Sequence, residues 1–161
     1  MHTGRGGAAA KAGHDLVIRV TAWRATLVVG EDAAGMSAEL TADATSLRVI
    51  EGTGGVQSLG DDDKASIQQT IDDEILKRED IVFRSTAARP QSDGKGISLE
   101  GELTILGTTA PIGFDLAISE DGALSATAIV TQTAWDIKPY STLFGTLKVK
   151  DEVEVVLEGH L

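Results

Sequence analysis

Apolar and polar residues alternate strictly from Ile97 to Ile105. Ile97, Leu99, Gly101, Leu103 and Ile105 fall on one face of an extended chain, and Ser98, Glu100, Glu102 and Thr104 on the other. A period of two over this length predicts a strand buried on one side. The pattern returns in Ile112, Phe114, Leu116 and Ile118, and Gly107-Thr108-Thr109-Ala110-Pro111 reads as the hairpin link between the two strands. Glu120-Asp121-Gly122 supplies the next turn, its glycine accepting positive φ. A third strand then carries Leu124, Ala126, Ala128 and Val130 on one face. Leu143 to Val149 and Val153 to Leu157 flank Lys150-Asp151-Glu152 and predict a closing hairpin.

The first half carries the same signal more faintly. Leu16, Ile18 and Val20 alternate. Ala25 to Val29 reads as a strand closed by Gly30-Glu31-Asp32. Met36, Ala38, Leu40 and Ala42 alternate, with Leu47 to Ile50 continuing or following them. Gly52-Thr53-Gly54-Gly55 is expected to break the sheet, and Ile81, Phe83 and Ser85 mark a later strand. One segment changes period. Ile67, Ile71 and Ile75 are spaced by four, after Asp61-Asp62-Asp63 and before Lys77-Arg78, so both ends complement a helix dipole. This predicts an amphipathic helix of about four turns with a narrow apolar stripe, covering an edge or mouth of the sheet. The sum is an all-β chain of about eight antiparallel strands with one helix inserted after the fourth. Strict alternation suits a closed barrel, which at eight strands either fills with side chains or encloses one small ligand.

Composition narrows the function. A chain of 161 residues is expected to form one domain spanning residues 1–161. The formal net charge of −11 repels phosphate backbones, so no nucleic-acid partner is expected. The absence of cysteine removes disulfide and thiolate chemistry. No apolar run approaches the length of a transmembrane segment, and Met1 to Gly7 has no leader-like apolar stretch, so the expected location is cytoplasmic. No nucleophile elbow, phosphate loop, dinucleotide fingerprint or zinc-protease motif occurs. The acids at 61–63 and 72–74 lack the glycine and glutamate spacing of a calcium loop and read as a solvated helix face. His14 precedes Asp15, but strand neighbours point to opposite faces, so the pair is not expected to act together. Gly4-Arg5-Gly6-Gly7 and Gly52 to Gly55 read as flexible connections. No catalytic or metal-ligating residue is assigned.

Several of these segments resemble one family. Leu103-Thr104-Ile105-Leu106-Gly107-Thr108-Thr109-Ala110-Pro111-Ile112 is similar to the "L-T-L-x-G-V-T-K-P-V" hairpin of the YceI-like, lipid- and polyisoprenoid-binding family, with Gly101 in its "G-x-L-T". Ile81-Val82-Phe83-Arg84-Ser85 resembles its "I-x-F-x-S" strand, and Gly13-His14-Asp15-Leu16 sits where many members carry a histidine before a short apolar strand. The stretch from Trp135 to Leu143 resembles a short leaderless, actinobacterial-type branch. Asp136 replaces a common glycine, and Glu79-Asp80 stands where the family has a tyrosine–proline pair. The resemblance covers roughly residues 10 to 160.

The resemblance implies an extended lipocalin-like barrel whose apolar tunnel holds a long isoprenoid or lipid chain, without catalysis. The lining assigned on this basis is Leu16, Ile18, Leu40, Phe83, Leu99, Leu103, Phe114, Leu116, Ala126, Ala128, Trp135 and Val155. Small Ala126 and Ala128, and Gly101 without a side chain, are expected to leave room inside. No cofactor is expected beyond a bound polyprenyl chain or lipid. Some members pair, so a homodimer is among the expected assemblies. Two other readings stand beside the carrier: a stress-response or interaction protein with a side-chain-filled barrel that uses its acidic helix, and a small barrel enzyme using His14 with Asp136 or Glu102.

Overall fold

The computed structural model describes residues 1–30, 35–92 and 94–161. Glu31 and Asp32, read above as part of a turn, lie outside the described residues. In chain order the elements are β1 (His2–Gly6), β2 (His14–Val20), β3 (Trp23–Val28), β4 (Ser37–Ala42), β5 (Leu47–Gly54), α1 (Asp61–Thr70), β6 (Ile81–Pro90), β7 (Gly96–Ile105), β8 (Thr108–Ile118), β9 (Ala123–Thr131), β10 (Ser141–Thr142) and β11 (Leu147–His160). The strands form one sheet in the order β3-β4-β6-β7-β8-β9-β11-β1-β2-β5, with β10 added on β11. Every described pairing is antiparallel.

Eleven strands stand where about eight are expected, and the difference is a bend. β2 and β3 are one extended chain broken at Thr21–Ala22. β4 and β5 are its antiparallel partner, broken at Asp43–Ser46. The ladder continues through the corner, where the Thr21 N–H donates to the Ser46 carbonyl (3.1 Å) and the Asp43 N–H to the Ala22 carbonyl (3.0 Å). The Asp43 carboxylate pins the turn, accepting the Thr45 N–H (2.8 Å) and hydroxyl (2.7 Å). These bonds hold its pKa below the ordinary carboxylate value. Counting each bent pair once and leaving aside two-residue β10, eight long strands run in a circuit: β6, β7, β8, β9, β11, β1, β2/β3, β4/β5, and back to β6. Past the corner the outer edges of β3 and β5 carry no strand partner among the described residues. The sheet is therefore a curled, incompletely closed barrel.

Three local expectations change. Leu147–His160 is a single strand with no hairpin at Lys150-Asp151-Glu152. β9 pairs with Glu152–His160, and β1 pairs on both sides of the triplet, with Lys148 and Val149 and with Val153 and Glu154, so the ladder carries the chain straight across a polar triplet that could turn. Gly4-Arg5-Gly6 belongs to β1, pairing with β11, and Gly52-Thr53-Gly54 belongs to β5. The β7–β8 turn is tighter than expected, with Leu106 (φ +51°) and Gly107 (φ +73°) alone at its tip.

The helix begins where the three acids predict, with the Asp63 carboxylate accepting the Gly60 N–H (2.9 Å). After Thr70 it widens into one π-type turn, Ile71–Ile75, in which the Leu76 N–H reaches the Ile71 carbonyl (2.8 Å). The helix packs on β5, beside the free edge of the barrel. No helix among the described residues is long and apolar enough to cross a membrane.

Candidate functional site: an apolar cavity with a polar mouth

The inward faces of the strands do not meet in the middle. They surround an apolar cavity of about 590 Å³. Leu16, Ile18 and Val20 of β2 line one wall, and Leu40, Phe83, Leu103 and Ile105 of β4, β6 and β7 another. Ile112 and Phe114 of β8 continue it to β9 and β11. There Ala128 sits opposite Val155, and Ala126 opposite Leu157. The pairing explains the void, because two methyl groups face two branched side chains across a ladder that a larger pair would have filled. Ile67, Ile71 and Ile75 close the side at the helix. None of the three is fully buried, because the stripe faces the cavity instead of a packed core. The Phe83 and Phe114 rings, with centroids 5.2 Å apart and planes tilted by 51°, form a stiff aromatic part of the wall.

Nine of the twelve residues assigned to the lining from the sequence border this cavity: Leu16, Ile18, Leu40, Phe83, Leu103, Phe114, Ala126, Ala128 and Val155. Leu99, Leu116 and Trp135 do not. Leu99 pairs with Ala88 and Leu116 with Ile97, and all four are buried in a close-packed layer toward the start of β7. Alternation places a residue on the inner face but does not say how far along the barrel the interior is solid. Trp135 is 3% exposed, and its indole N–H donates to the Leu103 carbonyl (2.6 Å). It fastens β7 to the segment that follows β9. The room expected over Gly101 is also taken. A Cβ there would lie 2.5 Å from the Phe83 ring and 2.4 Å from the Arg84 carbonyl oxygen.

The sequence reading missed Ile112, Val130, Val153 and Leu157, all of which border the cavity. Each keeps period two with an assigned residue, so the signal was present. It also missed the helix stripe as lining and it missed Arg5. Arg5 pairs with Val149 across the β1–β11 ladder, which turns it to the inner face. Its register was hidden because Gly4-Arg5-Gly6-Gly7 has too little hydrophobicity to read as a strand.

The cavity reaches the end of the barrel where β1 ends and β2 begins, and there its lining turns polar. His14 shares the inner face with Leu16 and Ile18. Its Nε2 lies 2.7 Å from the Gln57 carbonyl oxygen, to which it donates. Arg5 Nη1 donates to the carbonyls of Gly13 (2.8 Å) and Thr53 (3.2 Å). Asp15 uses Oδ1 to accept the Arg5 backbone N–H (2.8 Å), while its Oδ2 stays 3.8 Å from Arg5 Nε. Gly54 (φ +84°) lies against the Arg5 guanidinium and Gly55 (φ +71°) against the His14 imidazole. A Cβ on Gly54 would coincide with the guanidinium, and one on Gly55 would lie 2.4 Å from His14 Nε2. Tyr140 and Thr142 complete the rim. The carboxylates weighed for His14 lie elsewhere: Asp136 accepts the Thr108 hydroxyl (3.4 Å), and Glu102 points outward on β7. Among the described residues no three metal-ligating side chains converge.

Comparison with known proteins agrees with this architecture. The chain superposes on the YCEI protein of Campylobacter jejuni with a TM-score of 0.61 at 15% identity, over 90% of this chain and 83% of that one. A mutant CJ YCEI protein with a monobromobimane guest gives 0.66 at 13% identity, with 90% and 83% covered. BcnA of Burkholderia cenocepacia gives 0.63 at 16% identity, with 88% and 84% covered. At such identities the likeness establishes the fold alone. Comparison with curated proteins finds no match. The model of the YceI-like domain matches residues 7–161, nearly the whole length, and the chain therefore belongs to the YceI-like family.

Proposed function

We propose that the protein binds one long apolar chain, an isoprenoid or a lipid tail, inside its barrel, and carries or stores it without transforming it. The observation that supports this is the cavity: about 590 Å³ of space walled almost wholly by aliphatic and aromatic side chains, within the range of ligand pockets. An apolar space of this kind has no use for water, and each methylene placed in it gains about 0.8 kcal/mol. Association costs roughly 4–15 kcal/mol. About 5 to 19 methylenes must therefore be buried to break even, and this selects long chains over short ones. The residues at the mouth are engaged with the backbone in a way that suits positioning rather than chemistry. His14 is tied to a carbonyl and has no carboxylate behind it. The reading of a barrel filled by its own side chains does not suit a void of this size.

The test is native mass spectrometry of the purified protein with organic extraction of what it holds. The expected result is a one-to-one complex with a molecule carrying a chain of at least ten carbons or so. Protein that remains unliganded after incubation with such chains refutes the proposal.

A further inference from the structure

The cavity is apolar along its length, yet two cationic side chains border its mouth: Lys148, which is exposed on β11, and Arg5, which is turned inward. Arg5 is fixed at the mouth by its β1 register against Val149, and its guanidinium lies against Gly54, where a Cβ would collide with it. Only Nη1 is used, donating to Gly13 and Thr53. The other edge, Nε with Nη2, makes no hydrogen bond among the described residues, and the nearest acid, Asp15, stands off at 3.8 Å with one oxygen spent on the backbone. A guanidinium held by one corner with its two-donor edge unfilled matches the geometry that receives a pair of oxygens from an oxyanion.

Resting on the proposal that the cavity holds an apolar chain, we infer that the ligand is a single-chain amphiphile ending in an oxyanion, either carboxylate or phosphate, and that Arg5 receives that head at the mouth. The overall charge of −11 sharpens this inference. The protein as a whole repels anions, so a preference for an anionic head must come from a local group. Asp15 is the counterweight. It partly neutralises Arg5, and it would be displaced outward or bridged when the head group arrives.

The experiment loads the intact protein with N-phenylnaphthylamine, an uncharged apolar fluorophore, and displaces it with hexadecanol, hexadecanoate or hexadecyl phosphate. These three share one chain length and differ only in the head. At least one oxyanion should displace the probe about tenfold more tightly than the alcohol, equal to ~1.4 kcal/mol. Whichever oxyanion does so names the head. In Arg5→Met the ratio of oxyanion to alcohol should fall to about one. Arg5→Lys, which keeps the charge without the fork, should fall between. Asp15→Asn, which preserves the acceptor for the Arg5 N–H, should raise the ratio severalfold. Equal displacement by all three compounds, or a ratio unmoved in both Arg5→Met and Asp15→Asn, overturns the inference while leaving the cavity reading standing. Failure of the fluorophore to enter at all overturns the cavity reading, and this inference with it.

Discussion

Placing an aromatic ring on β9 distinguishes an open interior from a packed one. Ala128 faces Val155 across the β9–β11 ladder and borders the cavity. In Ala128→Phe, six further carbon atoms enter the interior. If the interior is open they occupy space a ligand would use. At about 0.8 kcal/mol per displaced methylene, six amount to about 5 kcal/mol. Half of that, allowing the chain to shift, is still about 2.5 kcal/mol, or roughly fiftyfold in Kd. The same ring would move from water into apolar surroundings, worth on the order of 1.5 kcal/mol in stability. For a chain of this length that raises Tm by about 3–6 °C. A close-packed interior predicts the reverse, since overpacking costs about 1–3 kcal/mol and lowers Tm. Calorimetry of the ligand-free protein and uptake of the apolar fluorophore decide between them. A lowered Tm together with unchanged uptake would falsify the reasoning.

Other perturbations test the walls and the corner. Trp135→Phe removes one donor from the Leu103 carbonyl and leaves it only its partner in the β7–β8 ladder, at a cost of about 1 kcal/mol, so Tm should fall by roughly 2–4 °C; an unchanged melting curve would show that the indole N–H is dispensable. Gly101→Ala drives a methyl group into the Arg84 carbonyl and the Phe83 ring and should cost about 1–3 kcal/mol in urea denaturation, whereas a neutral effect would mean that the interior yields there. Asp43 has its folded pKa lowered by the Thr45 hydroxyl and N–H, so its contribution is complete above the ordinary value of 3.8 and fades as pH falls from there through the lowered folded value. The stability gap between the parent protein and Asp43→Asn should accordingly be constant above about pH 5 and close below it. A gap that widens on acidification contradicts the sign.

How much of this was legible follows from the range of each signal. The β7–β8 pair was readable to the residue, because one face is buried and the other wet along its whole length. The helix start was readable because its acids and its four-residue spacing are local. β1 was not readable. Thr3 and Arg5 point inward at a mouth that tolerates polar groups, so the burial that writes alternation into a sequence is absent there. The hairpin expected inside β11 failed because a polar residue can serve within a strand: Asp151, half-buried, accepts the Thr133 N–H (2.9 Å) and hydroxyl (2.6 Å), and along the sequence it reads as a turn.

By itself the sequence determined what period-two burial and helix-end charges can encode: antiparallel strands, one amphipathic helix, and nine side chains on the cavity wall. Three matters were left to the tertiary structure. These are where along the barrel the inner face stops packing, which places Leu99 and Leu116 in solid core and Ala128 beside open space; the corner that turns four strand segments into two; and the meeting of Arg5 with Gly54, nearly fifty residues apart. Each depends on distances between strands that are remote along the chain, and alternation within a strand carries no information about the width of the gap it faces.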